Sequence, residues 1–302
     1  MTGEQGKELR METETEAFDA EPGSLYVVAT PIGNLRDVTL RALDILRSVD
    51  VIRAEDTRVT ATLLARYGVA TRPRALHQHN ESRQIDGVLA DLAAGRSVAL
   101  VSDAGTPAIS DPGARLVRAA AQAGHRVVPI PGASAVAAAI SAAGLAAERF
   151  VFTGFLPAQA KARRQLLETY GLLEAALVIF EAPHRIVETL GELAQVLDGR
   201  RMLTVARELT KTFETLARMP LAEGTTWLGA DANRQRGEFV LVIDAPIAAD
   251  VRAPHAITPE ANRVLSVLLE ELPPSRAARV AATLTGLPRE VLYERALALR
   301  NL

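Results

Sequence analysis

SVALVSDAGTPAISDPG, residues 97–113, runs an apolar strand-like stretch straight into a loop that holds two glycines, two prolines and two aspartates. A glycine-bearing loop at a strand end looks like a phosphate cradle. Such cradles, however, offer backbone N–H groups and usually a lysine to an anionic ligand. This loop contains no Lys or Arg before Arg115, and Asp103 and Asp111 add negative charge. A ligand suited to it carries an ammonium, a sulfonium or hydroxyl donors.

Outward from that loop, short β-rich runs alternate with amphipathic helices, the pattern of an α/β fold. LYVVAT (25–30) reads as a strand and TLRALDILRSV (39–49) as a helix, with Leu40, Leu43, Leu46 and Val49 at helical spacing. DVIRAED (50–56) is a second strand, followed by a helix over 57–68 that ends at Gly68 and another over 81–95. Asp111-Pro112-Gly113 starts a helix through Ala123, Asp111 suiting the N-cap and Pro112 the first helical position. HRVVPI (125–130) is a strand, and Pro131-Gly132-Ala133-Ser134 turns into a small-residue helix through Ala143. Several strands thus end in Gly- or Pro-bearing loops on one sheet edge, where open α/β sheets bind ligands.

A second α/β block begins near Arg149 with RFVFTGF and the basic stretch QAKARRQLLETYG. ALVIFEA (176–182) is a strand, and the helix over 183–197 places Ile186, Val187, Leu190, Leu193, Ala194 and Leu197 on one face. RMLTVARELT (201–210) and GEFVLVID (237–244) are further strands, the latter central because it is apolar for most of its length. Residues 245–260 are rich in Ala and Pro and read as a linker. Three helical stretches follow, 259–272, 274–285 and 288–300. Thr285-Gly286-Leu287 separates the last two, with Pro288 suited to the first helical position, a helix-turn-helix-like pattern also common in bundles that bind nothing.

The 302 residues suffice for about two domains with real cores. With 34 basic and 36 acidic residues, the bulk charge demands no nucleic acid, although a local basic patch remains compatible with it. The absence of cysteine excludes disulfides, thiolate catalysis and zinc–thiolate sites, and fits the cytosol. No apolar run reaches the roughly 18 residues that span a bilayer, and no apolar signal core opens the chain. Residues 1–23 are polar and acidic and read as a disordered extension, with Met11 as an alternative start. His77 and His79 stand at strand-like spacing without a carboxylate set to complete a metal site, so no metal is expected.

In order, the chain shows VVATPIGNLRDVTLRAL, VIRAEDTRVT, LVSDAGTPAISDPG, PIPGASA, FTGFLP, FEAPHRI, ARELTKTFE and GEFVLVI. This series resembles the tetrapyrrole-methylase-like family of S-adenosylmethionine-dependent methyltransferases over roughly residues 24–245. Within it, the chain is most similar to members that methylate the 2′-hydroxyl of cytidine 1402 in 16S rRNA, and its last helices resemble their helix-turn-helix extension. The resemblance implies an α/β domain over 24–147, a second over 148–245 with the cofactor in the cleft between them, and a helical region over 255–302. It also implies a cytoplasmic homodimer that acts on 16S rRNA, within the small ribosomal subunit.

Set on that family, individual residues acquire expected roles. Asp103 would meet the ammonium or sulfonium end of S-adenosylmethionine; alternatively it is a turn aspartate bonding its own backbone. Pro31 and Gly33 in the Thr30–Asn34 loop, together with Ala104, Gly105, Thr106 and Ser110, would line the cofactor, as would Gly237. The TPIGN loop replaces the glycine-rich form of corrinoid methylases, which favours RNA over a tetrapyrrole. Ser134 and Ala135 would hold the cofactor's carboxylate at a helix start, or simply cap it. Phe180, Glu181 and Ala182 would read the adenine, an ordinary buried Phe being the alternative. Lys161, Arg163, Arg164, Arg185, Arg207 and Lys211 would meet RNA phosphates, with His184 beside them. Candidates to take the hydroxyl proton are Glu181, Glu208 and Asp103, or Lys211 with a pKa lowered by desolvation. The competing readings are a corrinoid or tetrapyrrole C-methyltransferase and a non-catalytic RNA-binding ribosome-assembly factor.

Overall fold

The computed structural model of the chain describes residues 17–76, 81–246, 257 and 259–300. It divides into two compact units, one ending at Ala135 and one starting at Val136. The first is built on a five-stranded parallel sheet of β1 (Leu25–Val28), β2 (Val51–Ala54), β3 (Pro73–Ala75), β4 (Val98–Val101) and β5 (Val127–Ile130), in the order β3-β2-β4-β1-β5. Parallel strands need crossovers, supplied by α1 (Leu40–Ser48), α2 (Thr57–Arg66), α3 (Glu81–Ala93) and α4 (Ala114–Gln122).

Strand alternation sorts the core into two layers. Tyr26, Val28, Ile52, Ala54, Ala99 and Val101 face Ala42, Ile45 and Leu46 of α1 and Leu64 of α2. Leu25, Val51, Val98 and Leu100 face Val88 and Leu92 of α3 and Leu116 and Ala120 of α4. Covering both faces with helices is what a near-continuous apolar strand such as Val98–Val101 requires. Removing any one of these Leu, Ile or Val side chains from water is worth about 1.5–3 kcal/mol.

The second unit opens with α5 (Ala135–Ala143) and carries a mixed sheet, β6 (Phe150–Phe155), β7 (Ala176–Glu181), β8 (Met202–Arg207), β9 (Thr215–Pro220) and β10 (Phe239–Ile243), in the order β6-β7-β10-β8-β9. β6 and β7 are parallel, and every other pairing is antiparallel. β10 is central, as its apolar sequence predicts. Leu167 of α6 (Ala160–Tyr170), Ile186, Leu190 and Leu193 of α7 (Ile186–Val196) and Leu228 of α8 (Gly224–Gly229) pack on Leu177, Ile179, Leu203, Val205, Phe239 and Leu241. The unit boundary falls at the start of α5, before the 147/148 division suggested by the motifs. The far end of α5 belongs with the second sheet, where the Thr204 hydroxyl donates to the Ala143 carbonyl.

The chain ends in α9 (Pro259–Glu271), α10 (Pro274–Thr285) and α11 (Arg289–Arg300). Ala261 and Leu265 of α9, Ala277, Ala278 and Ala281 of α10, and Leu292 and Ala296 of α11 form their own core. Gly286, at φ +72°, terminates α10 and donates its N–H to the Ala282 carbonyl at 3.0 Å, a left-handed cap that an L side chain disfavours. Pro288 immediately precedes α11. Among the described residues no helix is long and apolar enough to cross a membrane.

Candidate functional site

The order of the first sheet reverses between β4 and β1. The chain leaves β1 through α1 towards β2 on one side and leaves β4 through α4 towards β5 on the other. The carboxyl ends of β1 and β4 therefore flank a topological switch point, the place where open α/β sheets accept ligands. The two loops there are interlocked. Thr30 and Gly105 exchange backbone hydrogen bonds at 2.8 and 3.0 Å, and the Thr30 hydroxyl donates to the Ser102 carbonyl at 3.1 Å. Gly105 sits at φ +80°, and a Cβ added to it would lie 3.3 Å from Ile32 Cγ2. The loop after β5 joins them through the Thr106 hydroxyl, which donates to the Ala133 carbonyl at 3.2 Å. A Cβ on Gly132 would stand 2.9 Å from the Cβ of Ala29, closer than two such atoms approach, so a side chain there would push the two loops apart.

A fourth loop is tied in by Asp103, whose Oδ1 accepts the Asp56 backbone N–H at 2.8 Å. Asp56 in turn caps α2 by accepting the Arg58 N–H, and its ion pair with the Arg58 guanidinium at 2.6 Å helps hold its carboxyl well below the usual range. Asp56 is a structural participant that the sequence reading passed over, although an aspartate directly before a helical run is itself a capping signal.

Asp111 is not the N-cap expected from Asp-Pro-Gly. The cap is Gly113 at φ +123°, without a side-chain hydrogen bond, and α4 begins at Ala114. A Cβ at Gly113 would lie 2.6 Å from Leu100 Cδ2, so the chain must pass β4 at a glycine before the helix can begin. Asp111 is left half-buried. Burial pushes its carboxyl up, the Ser102 hydroxyl lowers it, and the negative charge of Asp103 raises it again. Between them, Ala108 and Ser110 both adopt φ +67°, a left-handed backbone that costs a non-glycine residue about 1–3 kcal/mol and that clusters at functional sites. Of the other positions expected at the cofactor, Gly33, Ala104 and Ser110 are exposed, while Pro31 and Gly105 are buried in the lock itself. Ser134 and Ala135 lie half-buried at the start of α5.

In the second unit, β6, β7 and β8 run in one direction and β10 in the other. Their carboxyl ends and the entry to β10 consequently share an edge, with Phe239 paired to both Glu181 and Arg207. This brings together Phe180, Glu181, Ala182, Glu208, Lys211 and Gly237. Phe180 makes edge-on contacts with Phe152 and Phe155, with ring centres 4.8 and 5.7 Å away. The Glu181 side chain is sealed from solvent. Its Oε1 accepts the Ala182 N–H at 2.8 Å and lies 3.4 Å from Arg185, and its Oε2 accepts the Thr189 hydroxyl at 2.6 Å. Both oxygens are committed to bracing the start of α7, which removes Glu181 from the candidates for proton acceptor.

Glu208 follows β8 at φ +52°. Its Oε1 accepts the Glu238 N–H and the Lys211 ammonium, each at 2.9 Å, and Lys211 also reaches Glu238 Oε2 at 2.9 Å. Burial alone would raise Glu208 and lower Lys211, but these hydrogen bonds outweigh it: Glu208 is held below its ordinary value and Lys211 above. The expectation of a neutral, basic Lys211 is therefore corrected to a fixed ammonium. Gly237 serves this clamp, because at φ +93° a Cβ would come within 2.5 Å of Glu208 Cγ and Cδ.

Three of the arginines expected at RNA phosphates are used internally. Arg163 is buried between Glu192 and Glu188, which hold it above the ordinary guanidinium value. Arg185 donates to the Leu156 and Pro157 carbonyls at 2.9 and 3.3 Å. Arg207 is buried and donates to the Arg236 and Phe213 carbonyls at 2.5 and 3.2 Å. A signal was available for Arg163: it stands four residues before buried Leu167 on the inner face of α6, opposite an i, i+4 glutamate pair on α7. Lys161, Arg164 and His184 are exposed, Arg164 pairing with Glu168 one turn on. His77 and His79 lie outside the described residues, among which no three potential metal ligands come together.

Residues 24–224 match the family model described as Tetrapyrrole (Corrin/Porphyrin) Methylases, and residues 255–300 match the one described as RsmI C-terminal HTH domain. The chain is 48% identical over 278 residues to the Ribosomal RNA small subunit methyltransferase I of Pseudomonas aeruginosa, covering 91% of this chain and 97% of that protein. Among solved structures, it resembles the cobalamin biosynthetic enzyme cobalt precorrin-4 methyltransferase, with a TM-score of 0.56 at 16% identity over 73% of this chain and 94% of the other. It also resembles the uroporphyrin-III C-methyltransferase of Thermus thermophilus complexed with S-adenosyl homocysteine, with a TM-score of 0.52 at 19% identity over 72% and 96%. At such identities the two structural likenesses speak for the fold alone.

Proposed function

The chain belongs to the tetrapyrrole (corrin/porphyrin) methylase family, and from that premise we propose that it is an S-adenosylmethionine-dependent methyltransferase of small-subunit ribosomal RNA, acting on the 2′-hydroxyl of cytidine 1402 in 16S rRNA. The observation that carries the cofactor half of this reading is the loop after β4. It stands at a topological switch point, locked to its neighbours, free of cationic side chains and bearing two carboxylates. That donor set suits a zwitterionic ligand with an ammonium and repels a phosphate. The RNA half is supported by a relative named for ribosomal RNA that is 48% identical over 91% of this chain, and by the match of residues 255–300 to the model described as RsmI C-terminal HTH domain.

S-adenosylmethionine, when bound, supplies an electrophilic methyl group on a sulfonium. The residues of this chain have to hold and orient it, since alignment for in-line attack supplies much of the acceleration. Asp103 keeps one oxygen on the Asp56 N–H, so its other would be the one to hold the cofactor's ammonium, with half-buried Asp111 adding field beside it. The backbone around Ala104, Gly105 and Thr106 and the exposed Ser110 complete the cradle. In the second unit, Lys211 is held as an ammonium between Glu208 and Glu238, which match its charge. With Glu181 sealed and Lys211 protonated, Glu208 and Asp103 are the carboxylates left to accept the hydroxyl proton. Exposed Lys161 and Arg164 remain for phosphate contact.

Incubation of the chain with methyl-labelled cofactor and small ribosomal subunits, naked 16S rRNA or a precorrin tests the reading. The expected product is 2′-O-methylcytidine in the digested RNA. Label in the precorrin and none in RNA would overturn it.

A further inference from the structure

The loop from Glu208 to Glu214, between β8 and β9, carries an aromatic ring that the chemistry above does not use. Phe213 is 71% exposed, so most of its ring faces water. Leaving a phenylalanine outside forgoes much of the roughly 1.5–3 kcal/mol that its burial would yield. The loop that presents it is nevertheless stiff. The Phe213 carbonyl accepts from the buried Arg207 guanidinium and from the Thr215 hydroxyl, both at 3.2 Å. The Lys211 N–H donates to the Glu208 carbonyl at 3.0 Å, the Glu214 N–H to the Lys211 carbonyl at 3.1 Å, and the Thr210 N–H to Glu214 Oε2 at 2.5 Å. Glu208 and Thr210 are both held at positive φ, 52° and 66°.

A strained backbone fixed in this way predetermines where the ring stands. Its charges are matched internally, Lys211 by Glu208 and Glu238, so the loop is no phosphate site. The chain neighbours Thr212 and Glu214 are exposed and polar, and the next exposed apolar side chain, Leu216, already lies in β9. One ring with polar flanks is far smaller than the roughly 800 Å² per partner of a stable protein interface. It matches a single flat base, and proteins recognise single-stranded RNA by stacking bases on such rings.

We propose that Phe213 is a stacking platform for one nucleobase of the RNA substrate, a positioning residue presented by a stiffened loop. The proposal rests on the ribosomal RNA reading above. Its test compares the full chain with the variants F213A, F213Y and F213W in methylation of small ribosomal subunits. F213A is expected to raise KM for the subunits roughly 5- to 150-fold, the equivalent of ~1–3 kcal/mol per stacked base. F213Y and F213W should restore it, with cofactor Kd and sedimentation unchanged throughout. An unchanged KM in F213A overturns the proposal, as does a change in sedimentation that aromatic replacement fails to repair, which would assign the ring to a contact between copies. Failure of the wild-type chain to methylate any RNA would instead overturn the functional reading itself.

Discussion

Asp111 shows how far a local motif can mislead. Asp-Pro-Gly before an amphipathic run carries every mark of a helix cap, yet Gly113 takes that position because Leu100 leaves no room for a Cβ. No sequence pattern reports that collision, since Leu100 and Gly113 meet only once β4 and α4 have packed. The same limit applies to Arg207, which reads as surface charge and is buried. Freed from capping, Asp111 carries a carboxylate that burial keeps above its ordinary pKa. The sign of its effect on stability follows. Its folded pKa exceeds the unfolded value, so protonation favours the folded state, fully below about pH 4, and that contribution is lost as pH rises through the folded pKa. At neutral pH the ionised group is a burden. Asp111→Asn should therefore raise stability at pH 7 and remove this part of the difference between pH 4 and pH 7 in urea melts. If the carboxylate also serves the cofactor's ammonium, titration calorimetry should show S-adenosylmethionine binding weakened several-fold in the same variant. Loss of α4 helicity by circular dichroism would return Asp111 to its capping role.

At the scale of elements, what the sequence made legible was what hydrophobic periodicity reports. The amphipathic helices and the apolar strands β1, β4, β7 and β10 lie where the patterns put them, with ends that differ by up to three residues, as at the start of α7. β3 and β9 were invisible for a physical reason. Pro73-Arg74-Ala75 is an edge strand of three residues opened by a proline, and Thr215–Pro220 is an edge strand that turns Leu216 outwards and Thr215, Ala217 and Met219 inwards, so its alternation is not one of apolar against polar. The junction of β7 and α7 depends on Glu181, which accepts from the Ala182 N–H and the Thr189 hydroxyl at once. An amide in that place retains the shape but can turn only one acceptor towards two donors. Glu181→Gln should cost about 1–3 kcal/mol of stability, read as a lowered urea midpoint. Methyl transfer per folded molecule should stay within twofold of wild type. A fall of a hundredfold with an unshifted midpoint would show instead that the carboxylate takes part in the chemistry.

Over the whole molecule, the two strand-end edges were foreseeable and their internal wiring was not. The motif loops after β1, β4, β7 and β8 all fall at carboxyl ends, a placement that α/β order dictates from sequence alone. Which of their charges face a ligand and which face each other depends on long-range pairings such as Asp103 with Asp56 and Glu208 with Glu238. The C-terminal helices pose a different question, because α9, α10 and α11 build a core from their own alanines and leucines. The two sheets likewise have apolar clusters of their own. A chain ending at residue 254 should accordingly fold cooperatively and bind S-adenosylmethionine with a Kd within about threefold of the full chain, because the strand-end loops remain. If α9–α11 hold rRNA, methylation of small subunits at limiting substrate should drop tenfold or more, a loss of at least ~1.4 kcal/mol in kcat/KM, and most of it should reside in KM. Equal losses in cofactor binding and methylation would mean that these helices sustain the fold of the second unit rather than the grip on RNA.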